Sequence, residues 1–148
     1  MRRPPRPPEE RLFTPSLVTW SIFQGSLALA AVAAVFLAAY WRGLPEADVR
    51  ALAFFSLVAV IVSLIFVNRS FSSSITQAIR RPNKTLGLVI ISVAAILALA
   101  TTWKPARILF GFGILHMDDV ALTLMVGAAV LIVLEFGKRL TKWRPSFR

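Results

Sequence analysis

Apolar and polar positions fall into long blocks along this chain rather than alternating at the period of a water-facing helix or strand. Four apolar runs cover residues 17–41, 49–67, 85–103 and 120–136. Each approaches or exceeds the about 20 residues that a helix needs to cross the hydrocarbon of a bilayer. Arg50, beside the start of the second run, and Glu135, near the end of the fourth, are the only charges within them. Runs that are apolar all round suit lipid and neighbouring helices. The pattern predicts an all-α membrane protein, a four-transmembrane-helix bundle spanning residues 17–136. A basic, Pro-rich segment (1–16) precedes it and a basic tail (137–148) follows. The first run is too long for the apolar core of a secretory signal, and a proline-rich stretch comes before it.

The connections carry the breakers that such spans require. Gly43, Leu44 and Pro45 follow the first run, Pro82 and Asn83 precede the third, and Lys104 and Pro105 close it. Phe110, Gly111, Phe112 and Gly113 form a glycine-containing turn in the last connection. Trp20, Tyr40, Trp41, Trp103 and Trp143 fall at or near the expected interfaces, where a ring buries its face and hydrates its edge. Residues 70–84 read either as a solvated linker or as a short surface helix. In the second case Phe71, Ile75 and Ile79 recur every four positions ahead of Arg80 and Arg81.

Composition then sharpens the class. The 148 residues are 57% hydrophobic and 16% charged, with 17 Lys+Arg against 7 Asp+Glu and no cysteine. Disorder is excluded by the apolar content, and a disulfide framework or thiolate chemistry by the missing thiols. A formal charge of +10 suits nucleic acid or an anionic membrane surface, and its distribution decides. Arg2, Arg3, Arg6 and Arg11 lie before the first span, and Arg69, Arg80, Arg81 and Lys84 lie between the second and third. Lys138, Arg139, Lys142, Arg144 and Arg148 follow the fourth. All of these share one side, while Arg42, Arg50, Lys104 and Arg107 share the other with Glu46, Asp48, Asp118 and Asp119. Basic residues mark the cytoplasmic side, so both termini are expected there. This asymmetry accounts for the excess charge without a nucleic-acid partner. It predicts an integral protein of a bacterial plasma (inner) membrane, with anionic lipid headgroups as partners at the cytoplasmic face.

Little in the spans suggests chemistry. An unpaired charge at depth costs at least ~3 kcal/mol, so an ion path normally displays its polar groups conspicuously. Ser26, Ser56, Ser63, Ser92 and Thr123 are the mid-span hydroxyls, and each can bond back to its own helix. Gln24 is different, since a buried amide wants a partner on another helix, worth about 1 kcal/mol. Glu135 stands ahead of Lys138 and Arg139, positioned for an ion pair within its own helix. His116 beside Asp118 and Asp119 lacks a second imidazole, and no metal, cofactor or catalytic residue is expected. Ser26, Ala30, Ala34 and Ala38 form a stripe of small residues at a spacing of four, beside Gly25. Such a stripe lets helix backbones approach closely, so this face is expected to meet another helix, in the chain or outside it.

The helix ends and loops also resemble a known family. Arg3-Pro-Pro-Arg6, Gln24-Gly25, Ala51-Leu-Ala-Phe54, Asn68-Arg-Ser70, Asn83-Lys84, Phe110-Gly111 and Glu135-Phe-Gly-Lys138 occur in that order. Together they resemble the C-terminal region of P-type cation-transporting ATPases of the calcium, sodium–potassium and proton type, from before the seventh membrane helix to the end of the tenth. The resemblance covers nearly the whole chain. It implies a support bundle against the ion-carrying helices of the pump, with both ends cytoplasmic. Pumps of the calcium type place a carboxylate in the eighth helix. The matching stretch, residues 57–64, has Ser63 as its one polar side chain, so no carboxylate ligand is implied here. Nothing resembles the Asp-Lys-Thr-Gly phosphorylation motif, the nucleotide-binding domain or the actuator Thr-Gly-Glu loop.

Two functions follow as expectations. The first is a C-terminal membrane support domain of a cation pump, a fragment that is not an enzyme on its own and whose partners are the pump's remaining helices and the lipid bilayer. The second is a free-standing small membrane protein that binds or regulates an intact pump. Gln24, Gly25, Ser26, Ala30, Ala34, Ala38, Ser63 and Glu135 are the helix-packing candidates for either.

Overall fold

The computed structural model describes residues 15–69 and 84–140. They form five α-helices: α1 (Pro15–Trp41), α2 (Glu46–Arg69), α3 (Lys84–Thr102), α4 (Lys104–Phe110) and α5 (Met117–Leu140). Four of them, all but α4, are long and apolar enough to cross a membrane. No strand occurs among the described residues. The N-terminal segment, the stretch read as a linker or surface helix at 70–83, and the tail from 141 lie outside them.

Helix starts run further than the apolar runs because polar first turns extend them. Glu46 and Asp48 open α2, and Asp118 and Asp119 open α5, where carboxylates favour the positive end of the helix dipole. His116 precedes α5, and its N–H donates to the Asp119 carboxylate at 3.0 Å, half of a capping box. The breaks are equally local. After α1, Gly43 N–H donates to Tyr40 C=O at 3.0 Å and Leu44 N–H to Ala39 C=O at 3.3 Å. The same pair of bonds recurs after α4, from Gly111 to Ile108 at 3.2 Å and from Phe112 to Arg107 at 2.9 Å. This reversal places its glycine at positive φ, and Gly111 has φ 62°. Between α3 and α4 the chain turns at Trp103 (φ −82°, ψ 112°), ahead of Pro105.

Three of the long helices form the packed unit. α2 lies between α1 and α5, and its contact with α5 is the most extensive among the described helices. Val60, Val67, Val130 and Leu134 are its central core, covered by Leu27, Ala28, Ala31 and Val32 of α1. A second cluster of Val35, Ala39, Val49 and Leu52 sits towards the α1–α2 turn, here the turn end. α3 stands apart from this unit. Its buried contact with the described helices lies near the turn end, where Ala100 joins Ala51 and Phe112. Its other faces are open, with Leu88, Ile91, Ile96 and Leu99 exposed.

Candidate functional site

A few polar groups of the spans join helices. At mid-span, Ser63 of α2 lies within hydrogen-bonding distance of two carbonyls, Ala59 of its own helix at 2.9 Å and Gly127 of α5 at 2.7 Å. Its one proton serves either. The approach is close because Gly127 has no side chain: a Cβ there would lie 3.1 Å from both Cβ and O of Ala59. Ala59 and Ser63, one turn apart on α2, thus make a shallow surface into which the α5 backbone settles. Thr123, one turn from Gly127, is buried and returns its hydroxyl to Val120 C=O at 2.8 Å. Ser56, a further turn along α2, is fully buried.

A second junction lies at the opposite end, the terminal end. Gln24 of α1 is buried and donates to the Asn68 side-chain carbonyl of α2 at 3.2 Å. Nearby, the Lys138 ammonium of α5 donates to the Val67 carbonyl of α2. That carbonyl belongs to the last turn of its helix, where four C=O groups lack partners in the same helix. A cation there also suits the negative end of the α2 dipole. Glu135 lies one turn back, its carboxylate 3.7 Å from Lys138 Nζ. Trp20 packs its ring beside Gly137, 3.4 Å from where a Cβ would stand, and against Phe23 at 5.6 Å between centroids. Trp20 is buried, unlike Tyr40, Trp41 and Trp103, which are exposed.

The sequence candidates therefore separate into two sets. Gln24 and Ser63 make contacts between helices, and Glu135 pairs with Lys138 within α5. Gly25, Ser26, Ala30, Ala34 and Ala38 do neither, since all five are exposed and a Cβ on Gly25 would meet nothing within 4 Å. The buried face of α1 is instead Trp20, Gln24, Val35 and Ala39. Gly127, Asn68 and the Val67 carbonyl carry inter-helix contacts that no sequence reading selected. The spacing of Thr123 and Gly127, four apart like Ala59 and Ser63, was the available signal.

Chemically, this arrangement holds helices together. The Ser63 and Thr123 hydroxyls reach backbone carbonyls, and the Glu135 carboxylate is beside an ammonium at a helix end. Among the described residues, no group of three or more His, Cys, Asp or Glu is placed to hold a metal ion. His116 Nδ1 lies 3.7 Å from the Asp119 carboxylate and is exposed.

Comparison with known proteins agrees with this scaffold. The family model for the C-terminus of cation-transporting ATPases matches residues 1–140. No curated protein matches the chain.

Proposed function

Because the chain belongs to the family of cation-transporting ATPase C-terminal domains, we propose that it is the membrane support domain of a P-type cation pump, bracing the helices that carry the ion. Its family membership over residues 1–140 carries this reading. The packing supports it: α1, α2 and α5 join through backbone carbonyls, small residues and apolar side chains, and among the described residues the buried polar ones, Gln24, Ser56, Ser63 and Thr123, include no carboxylate. A scaffold of this kind can stay fixed while polar helices beside it rearrange. ATP hydrolysis and its coupling to transport belong to other domains of the pump, and the chain by itself is not the enzyme. The exposed Ser26, Ala30, Ala34 and Ala38 face of α1 is the surface offered to those helices.

In this reading both termini are cytoplasmic, in a bacterial plasma membrane, and the basic residues at the terminal end contact anionic headgroups. An impermeant thiol reagent added to intact cells should label Ala47→Cys and spare Ser73→Cys; labelling of the second alone would invert the topology. The pump assignment has its own test, an immunoblot of native membranes with an antibody to residues 141–148. A band several times larger than 16.3 kDa is expected. A band at 16.3 kDa alone would replace the support domain by a free-standing protein that binds a pump.

A further inference from the structure

The two connections at the turn end differ in their chemistry. The first, from Arg42 to Asp48, is short and charged. The second contains α4 and the glycine turn, and from Ile108 to Met117 it reads Ile-Leu-Phe-Gly-Phe-Gly-Ile-Leu-His-Met without a formal charge. One side of this segment is fixed to the scaffold. Phe112 is buried beside Ala51 and Ala100, its ring 5.2 Å from that of Phe54 and 5.4 Å from that of Phe110. Gly113 N–H donates to Ala47 C=O at 3.0 Å, tying the turn to the first turn of α2. The other side is bare. Ile108 is 70% exposed, Leu109 80% and Met117 86%, and Ile114 is open as well.

From this surface and its position we infer that α4 and the turn after it form an interfacial foot, seated in the headgroup and upper acyl zone of the bilayer. The position fixes the occupant. α3 is a membrane-length helix, and the chain leaves it at Trp103 directly into α4. The exposed apolar residues of α4 therefore continue the exposed apolar surface of α3 at the level where hydrocarbon gives way to headgroups. Trp103 marks that level, as tryptophans do. Lys104 and Arg107 stand three apart and so share one side of α4, while Leu109 points roughly opposite to both. Basic groups beside exposed apolar ones, with Ile108 next to Lys104 and Leu109 opposite it, suit a short helix lying in the interface, its apolar surface sunk roughly 5–10 Å into the boundary between headgroups and acyl chains. The occupant is phospholipid, with its phosphate facing Lys104 and Arg107. This inference rests on the four-span reading but not on which side of the membrane the foot occupies.

The cysteine-free sequence makes the test direct. Leu109→Cys, Glu46→Cys and Ile96→Cys, each carrying an environment-sensitive fluorophore, are reconstituted as the full chain in phosphatidylcholine vesicles. Quenching is read with shallow or deep nitroxide-labelled lipid, and with iodide present on both faces. At Leu109 the shallow lipid should quench several-fold more than at Glu46, and iodide several-fold less. Iodide quenching equal at the two positions would make the segment a water-facing loop and overturn the inference. Protection of Leu109 from both quenchers would show protein covering it, and would overturn it equally. Ile96, exposed in the middle of α3, should respond to the deep lipid. Failure there would count against the span itself, whereas success at Ile96 with iodide access at Leu109 would remove only the foot. Ile108→Cys repeats the reading should Leu109→Cys misfold.

Discussion

Two stripes of small residues run along this protein, and only one of them is filled. On α1, Ser26, Ala30, Ala34 and Ala38 share a face and are exposed among the described residues. On α2, Ala59 and Ser63 receive Gly127 of α5 so closely that a single added carbon would crowd Ala59. By spacing alone the α1 stripe is the longer and more regular. The difference lies in the partner surface. Gly127 exposes a backbone carbonyl to the Ser63 hydroxyl, so the α2–α5 seam gains a hydrogen bond together with close packing. In lipid, where apolar side chains gain nothing by leaving the solvent, these two terms are what hold helices together. The α1 stripe has the shape for close approach, but nothing described in this chain is placed against it. Close spacing of small residues thus marks a face fit for docking without saying which helix will dock.

The seam can be broken most severely at Gly127. Gly127→Leu drives a branched side chain into Ala59 of α2 and should cost about 3 kcal/mol, the upper end of what overpacking typically costs. Unfolding of the detergent-solubilised chain by added dodecyl sulfate would read this as an early transition. An unchanged midpoint would mean that α2 and α5 do not meet at Gly127. A smaller loss is expected at the terminal end. Gln24→Leu leaves the Asn68 amide without its donor and should cost about 1 kcal/mol in the same assay. Asn68→Leu in addition should recover part of it, because both polar groups are then gone.

How much of this was readable beforehand depends on the length scale. The four spans are legible because an uninterrupted apolar run has one good structural solution in a bilayer. Their helical starts are not. Glu46 and Met117 lie outside the apolar runs, where hydropathy falls silent and dipole and capping terms take over. α4 escaped notice because seven residues show too little periodicity to distinguish a helix from a turn. Gln24 could be selected as a residue in need of a partner, but Asn68 could not be identified as that partner. The pairing depends on α1 and α2 bringing residues 44 apart in sequence to one height. The Lys138 bond to Val67 C=O is less legible still, since its acceptor is a backbone atom that any residue would supply. Lateral arrangement was the least accessible of all. α3 is apolar on every face, so nothing in its sequence says that its buried packing among the described residues lies at Ala100.

The remaining two substitutions have the smallest effects and separate the stripes most cleanly. Ser63→Ala deletes the hydroxyl that spans the seam but keeps the small volume that lets α5 approach. The loss should be about 0.6 kcal/mol, the mean for such a bond between membrane helices, and much less than for Gly127→Leu. That ratio would assign most of the seam's strength to close packing rather than to its hydrogen bond. Ala34→Leu makes the corresponding bulky change on the open stripe. It adds volume to an exposed face, so unfolding of the isolated chain should not move beyond the few tenths of a kcal/mol typical of surface sites. On the proposed support role, the same substitution in a complete pump should lower the yield of assembled, ATP-hydrolysing protein, because that reading has the stripe meet another helix there. A loss of stability in the isolated chain would show that Ala34 already faces a partner within it. No loss in the complete pump would remove the stripe as the docking face while leaving the seam between α2 and α5 as it is.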